Sequence, residues 1–188
     1  IEVNSHLAPL HNPANLIGIQ VAKKLIPDAP QIAVFDTAFH QTLPAHAYHY
    51  ALPFEYYKEL GIRRYGFHGT SHRYVVAEAA QLIGQPLDKL NLVTAHLGSG
   101  ASICAIERGQ SIDTSMGLTP TGGVIMGTRC GNIDPGIIFY MADRKKMSFE
   151  EINRVLQHES GLKGICGSND MRDIHDRSKQ GDVRARLA

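Results

Sequence analysis

The chain has 188 residues, 43% of them hydrophobic and 20% charged, which is ordinary globular composition and excludes a disordered or collagen-like polymer. Nineteen Lys and Arg against eighteen Asp and Glu leave a net charge of +1, so no global field attracts nucleic acid or an anionic membrane surface. No apolar run is long enough to span a bilayer and no signal peptide is visible, so neither a membrane nor a nucleic acid is expected as a partner.

From the N-terminus, Asn12-Pro13 is a cap-plus-proline start for a helix carrying Leu16, Ile17, Val21, Ala22 and Leu25 at helical spacing. Pro27 and Pro30 stop it. The apolar run Gln31–Phe35 reads as a buried strand whose tip presents Asp36. A loop-rich aromatic stretch follows, with a short helix after Pro53. Ser71 is placed to cap a helix through Val75, Val76, Ala79, Ala80, Leu82 and Ile83, closed by Gly84.

Three short apolar runs, Leu92–Leu97, Ala101–Ile106 and Ser111–Ser115, are separated by Gly98-Ser99-Gly100 and Arg108-Gly109-Gln110 and predict a meander. Leu118–Asn132 is a glycine-rich loop. Asp134-Pro135 opens one helix, and Ser148 with Glu151 forms a capping box for another. Gly161–Gly167 reads as a loop, and charged helical segments close the chain. The whole predicts an α/β fold with a mixed sheet and flanking helices.

The odd count of three cysteines, Cys104, Cys130 and Cys166, without a C-x-x-C pair, fits reduced thiols in a cytoplasmic protein better than a disulfide framework. The chain starts at Ile1, not Met, and ends in a charged helix-like stretch, so a segment of a longer protein is expected.

Neither a P-loop nor a dinucleotide fingerprint is present. Gly98-Ser99-Gly100 reads either as a plain hairpin turn or as a phosphate cradle. Arg129, in Met126-Gly127-Thr128-Arg129-Cys130-Gly131-Asn132, is either a surface arginine or a fork for a carboxylate or phosphate. Asp36 is a turn cap or a Mg²⁺-facing carboxylate. His68 and His72 stand four apart, as zinc ligands on a helix would, but Gly69 occupies the place of the zincin glutamate. Cys130 has no histidine partner at a recognisable spacing for a nucleophile.

Six ordered blocks carry a stronger signal. Ala8-Pro9-Leu10-His11-Asn12-Pro13, Val34-Phe35-Asp36-Thr37-Ala38-Phe39-His40-Gln41, Arg63-Arg64-Tyr65-Gly66-Phe67-His68-Gly69-Thr70-Ser71-His72, Ala95-His96-Leu97-Gly98-Ser99-Gly100, Asp113-Thr114-Ser115-Met116-Gly117-Leu118-Thr119-Pro120 and Met126-Gly127-Thr128-Arg129 together resemble the acetate kinase family, propionate and butyrate kinases included. The resemblance covers nearly the whole chain. It implies a ribonuclease-H-like fold of the actin and sugar-kinase superfamily, incomplete here. Residues 1–38 would end an N-terminal domain and residues 39–188 would begin a C-terminal one.

The resemblance also implies phosphoryl transfer from ATP, with Mg²⁺, to acetate or propionate, giving acyl phosphate and ADP, in a protein that is homodimeric at full length. Asp36 matches the catalytic aspartate near Mg²⁺, and His68 the histidine that stabilises the transferring phosphoryl. Arg129 matches the arginine at substrate carboxylate and transition state, and His11 a further active-site histidine. His96, Gly98, Ser99 and Gly100 match the phosphate loop, and Leu10, Phe67 and Pro120 the pocket for the alkyl end.

Two positions depart from the family pattern. Ser99 stands where asparagine is common, and Gly164–Asp170 is one residue shorter than usual. An incomplete, non-catalytic module of the same fold is the alternative reading, and the isolated chain is expected not to turn over. A sugar kinase of the same superfamily would need polar groups in place of Leu10, Phe67 and Pro120.

Overall fold

The structure, a computed structural model, describes residues 1, 2, 5 and 12–188. The Asn-Pro start is realised in helix α1 (Asn12–Leu25), which buries none of its residues. After it, residues 31–35 have no regular secondary structure and belong to no sheet, and Ile32 and Val34 are 85% and 75% exposed. The expected strand is therefore absent. A strand exists only when a neighbour takes its ladder hydrogen bonds, and the sole sheet among the described residues contains three other strands.

Among the described residues burial begins at His40, inside a 3-10 turn (Ala38–Thr42) that follows Asp36. Two short helices, α2 (Ala45–Tyr48) and α3 (Phe54–Leu60), carry the aromatic stretch. Helix α4 (Gly69–Ile83) starts earlier than the Ser71 cap implies. Its N-cap is His68, held in the left-handed region at φ 58° without a side-chain cap. Gly84 ends it as expected, donating to the carbonyls of Ala80 and Gln81.

Strands β1 (Asn91–Leu97), β2 (Ala101–Glu107) and β3 (Gln110–Thr114) form the predicted meander. Both pairings are antiparallel, with Leu97 opposite Ala101 and Glu107 opposite Gln110. The part of the sheet carried by these residues thus has no parallel pair. The second turn is only Arg108-Gly109, both at positive φ (50° and 79°), the geometry that matches strand twist in two-residue hairpins.

Along β2, Ser102, Cys104 and Ile106 point to one side by the two-residue repeat and are at most 2% exposed. Val76 of α4 packs there with Cys104 and Ile106, joined by Phe39 and Leu92. A second cluster, Ala101, Met116 and Met126 with Phe67 and Val124, anchors the glycine-rich loop.

Helix α5 (Gly136–Lys145) follows Asp134-Pro135, and Asp134 Oδ1 accepts from the Gly136 N–H at 2.8 Å. Helix α6 (Phe149–Arg154) carries the capping box in full, with Ser148 Oγ taking the Glu151 N–H and Glu151 taking the Ser148 N–H. It runs on into a π-helical turn, Val155–Glu159.

Residues 161–166 form helix α7 (Gly161–Cys166), not the expected loop. The reason lies elsewhere in the chain: N–H groups that a helix start leaves unpaired find carbonyls in the arginine loop. Leu162 N–H donates to Met126 and Lys163 N–H to Gly127, at 2.9 and 3.0 Å. Helices α8 (Met171–Lys179) and α9 (Val183–Leu187) close around Cys166, Ile174 and Ala185. Arg177 joins them, 2.7 Å from Asp182 and 3.3 Å from Asp173. Among the described residues no helix is long and apolar enough to cross a membrane, and all three cysteines are free thiols.

Candidate active site

Asp36 and His68 meet where the residues after 31–35 abut the start of α4. The Asp36 carboxylate accepts the His68 N–H at 2.7 Å, and the Asp36 carbonyl accepts the Gly69 N–H at 2.8 Å. A helix N-terminus is electropositive, so the exposed carboxylate sits where negative charge is favoured. Only one of its oxygens is engaged in this way.

Behind His68 lies a row of imidazoles and hydroxyls. His68 Nδ1 is 2.9 Å from Ser102 Oγ, and the same hydroxyl is 2.7 Å from His72 Nε2. His72 Nδ1 is 2.7 Å from Thr94 Oγ1. His72 is 1% exposed, and burial, reinforced by His40, His68 and His96, holds its pKa down to about 4. Burial likewise lowers the pKa of His68, with the neighbouring His96 adding to the effect and Asp36 opposing it. The His96 ring stacks on His68 at 4.0 Å between centroids, and its Nδ1 is 2.9 Å from Ser71 Oγ.

His40 supports the loop from beneath. Its Nε2–H donates to the Phe67 carbonyl at 3.0 Å, and Ser111 Oγ lies 2.9 Å from Nδ1. A carbonyl only accepts, so the proton sits on Nε2 and the Ser111 hydroxyl donates to Nδ1 when His40 is neutral. Burial pushes its pKa down, which favours that neutral form.

Arg129 approaches from the glycine-rich loop. Its Nη1 donates to the Pro120 carbonyl at 2.9 Å, and among the described residues it has no ion-pair partner. Burial lowers its pKa from the ordinary arginine value, but a guanidinium stays charged. The loop is held by the contacts to α7 and by the Gly127 N–H, which donates to the Ser99 carbonyl at 3.2 Å.

Gly100 is where these groups converge. A Cβ there would stand 3.1 Å from Arg129 Nη1 and 3.4 Å from His68 Nε2. Glycine therefore keeps open a space bordered by a cation and an imidazole nitrogen. A carboxylate, two imidazoles, a guanidinium and a glycine turn make a cradle for an anion.

Asp36, His68, His96, Gly100 and Arg129 are thus brought together, with Gly98 shaping the turn through its N–H to the Gly100 carbonyl at 2.9 Å. Ser99 is exposed at the tip and contributes its carbonyl to Gly127. Phe67 packs against Ala101, Met116 and Met126, and Pro120 supplies the carbonyl that holds Arg129. Leu10 and His11 lie outside the described residues.

Four participants carry no local signal in the sequence: His40, Thr94, Ser102 and Ser111. His72, by its spacing, suggests only a possible zinc partner of His68. Its two ring nitrogens are instead engaged by hydroxyls, and no metal-binding cluster of three or more such side chains occurs among the described residues. Burial raises the Cys130 thiol pKa, which speaks against a nucleophile.

The Acetokinase family model matches residues 1–188. An acetate kinase from Maridesulfovibrio salexigens is 59% identical over 182 residues, covering 97% of this chain and 46% of that protein. A crystal structure of a propionate kinase from Francisella tularensis superposes with a TM-score of 0.95 at 50% identity, covering 99% of this chain and 48% of the other. The Porphyromonas gingivalis acetate kinase structure gives 0.93 at 48% identity, with 99% and 47% covered. The chain spans about half the length of the curated relatives it matches.

Proposed function

Because the chain belongs to the acetokinase family, with the actin and sugar-kinase fold of its structural neighbours, we propose that the full-length protein carrying it moves the γ-phosphoryl of ATP to acetate or propionate. The products are acyl phosphate and ADP, formed by direct in-line transfer. The observation that carries this reading is the open space at Gly100, bordered by His68 and Arg129 with Asp36 on the adjoining helix start.

The substrate's chemistry explains the residue types. A short-chain carboxylate is already ionised at neutral pH, so its attack requires no general base. The barrier lies in gathering anions and stabilising charge on the transferring phosphoryl. Arg129 draws the anionic groups together and stabilises that charge. His68 offers a ring N–H to a phosphoryl oxygen. His96 and the Gly98-Ser99-Gly100 turn border the phosphates. Leu10, Phe67 and Pro120 are assigned to the alkyl pocket, and His11 to the site's remaining edge.

Asp36 fits Mg²⁺ in its donor chemistry: Mg²⁺ is commonly held by one or two carboxylates together with substrate phosphates and water. Asp36 would hold the ion, which when bound neutralises phosphate charge.

Residues 1–38 are assigned to the end of one domain and 39–188 to the start of the next. In support, α1 buries nothing, whereas the described buried residues begin at His40. The full-length protein is read as a cytoplasmic homodimer.

For the 188-residue chain by itself, we favour an incomplete module without turnover, because relatives of this family are about twice as long. The test is ATP-dependent acyl hydroxamate formation with acetate, propionate and butyrate, comparing the chain with the full-length protein. Activity in the full-length protein alone supports both readings. Activity in neither refutes the kinase reading, and turnover by the chain alone refutes the module reading.

A further inference from the structure

We propose that Thr94, His72 and Ser102 form a one-way hydrogen-bond chain that keeps His68 in the Nε2–H tautomer, making it a donor toward the space beside Gly100 and Arg129. The tautomer follows from the geometry alone; its use in phosphoryl transfer rests on the kinase reading above.

Counting protons selects the direction. Ser102 Oγ, fully buried, touches His72 Nε2 and His68 Nδ1 and has one proton, so it donates to one ring and accepts from the other. In one direction Thr94 O–H donates to His72 Nδ1, His72 Nε2–H donates to Ser102, and Ser102 O–H donates to His68 Nδ1. His68 then carries its proton on Nε2. In the reverse direction His68 Nδ1–H donates to Ser102, Ser102 to His72, and His72 Nδ1–H to Thr94.

The reverse leaves the Thr94 hydroxyl proton with no acceptor, since among the described residues Thr94 Oγ1 meets only His72, and Thr94 is 6% exposed. An unmatched buried donor is costly, whereas the forward direction matches every proton between Thr94 and His68 Nδ1 and leaves only the Nε2–H of the half-buried His68, which faces the space beside Gly100. Burial of both rings adds to this by favouring the neutral imidazoles that the count assumes.

The consequence is a division of labour. His68 Nε2 has no partner among the described residues and lies 3.4 Å from where a Gly100 Cβ would be. Fixed as N–H, it gives the anion a donor with no reorientation needed. Fixed as a bare nitrogen, it would repel the same anion. Thr94, His72 and Ser102 are positioning residues, acting through His68.

The test uses full-length protein labelled with ¹⁵N at histidine. Long-range ¹H–¹⁵N spectra distinguish protonated from bare ring nitrogens without any substrate. Both His68 and His72 are expected to be protonated at Nε2 and bare at Nδ1. A protonated Nδ1 on either ring overturns the proposal.

Ser102→Ala then tests use. With fold retained by circular dichroism, kcat is expected to fall at least about tenfold with KM values for ATP and carboxylate little changed, as for loss of a transition-state donor. In Ser102→Ala/His68→Ala the losses are expected not to add, because one acts through the other. Full additivity, or an unchanged kcat in Ser102→Ala, overturns the catalytic part. The predicted tautomers in a full-length protein that phosphorylates none of the acids would refute the kinase reading and leave the hydrogen-bond chain standing.

Discussion

Acidification should unfold this chain largely through His72, a buried imidazole between two hydroxyls. Its pKa is about 4 in the folded chain against 6.5 for an ordinary histidine. Above the higher value both folded and unfolded states hold it neutral, and its full contribution to stability is present. As the pH falls below that value the unfolded chain takes up a proton that the folded chain refuses, so stability declines until the folded pKa is also passed. The shift corresponds to about 3 kcal/mol in total, of which about 2 kcal/mol is lost between about pH 7.5 and pH 5. That is a large share of an ordinary domain's stability.

The measurement is urea unfolding at those two pH values, followed by far-UV circular dichroism because the chain has no tryptophan. His72→Gln keeps a polar side chain beside Ser102 but cannot titrate. Its loss between the two pH values should be smaller than that of the parent by about 2 kcal/mol. His40 and His68, whose pKa values are also lowered, remain in both proteins and form a common background. An equal loss in parent and variant would refute the assignment to His72.

Gly161→Ala is expected to shift the arginine loop and destabilise the chain, since Gly161 sits at φ 62° and a Cβ would press on the carbonyls of Met126 and Arg129; proteolysis of that loop and thermal unfolding would show it, and an unchanged midpoint would refute it. Ser148→Ala removes the α6 capping box and should cost about 1 kcal/mol in urea unfolding. Arg129→Lys keeps a charge but loses the planar fork held by Pro120. In the full-length protein it should lower kcat/KM for the carboxylate at least about a hundredfold with the fold unchanged, and near-parental kinetics would remove Arg129 from the proposed site.

The features legible in sequence are those whose causes lie within a few residues. Asn12-Pro13, Asp134-Pro135 and the Ser148–Glu151 box set helix starts because cap and helix are covalent neighbours. The three strands were legible because Gly98–Gly100 and Arg108-Gly109 are turns short enough to force antiparallel pairing. The family blocks mark Asp36, His68, His96 and Arg129 as a group, and the structure sets Asp36 and His96 against His68, with His68 and Arg129 bordering the space at Gly100.

Tertiary structure alone decided the rest, because the partners are far apart in sequence. Residues 31–35 have strand composition, yet among the described residues they join no sheet. Gly161–Cys166 has loop composition, yet becomes helical where carbonyls of the Met126–Gly127 segment accept its first N–H groups. Ser102 is one small polar residue in an apolar strand until the packing of α4 on β1 and β2 sets its hydroxyl between two histidines. Local propensity is a property of neighbours along the chain; the polarity of a hydrogen-bond chain depends on which donors and acceptors folding leaves with a single partner.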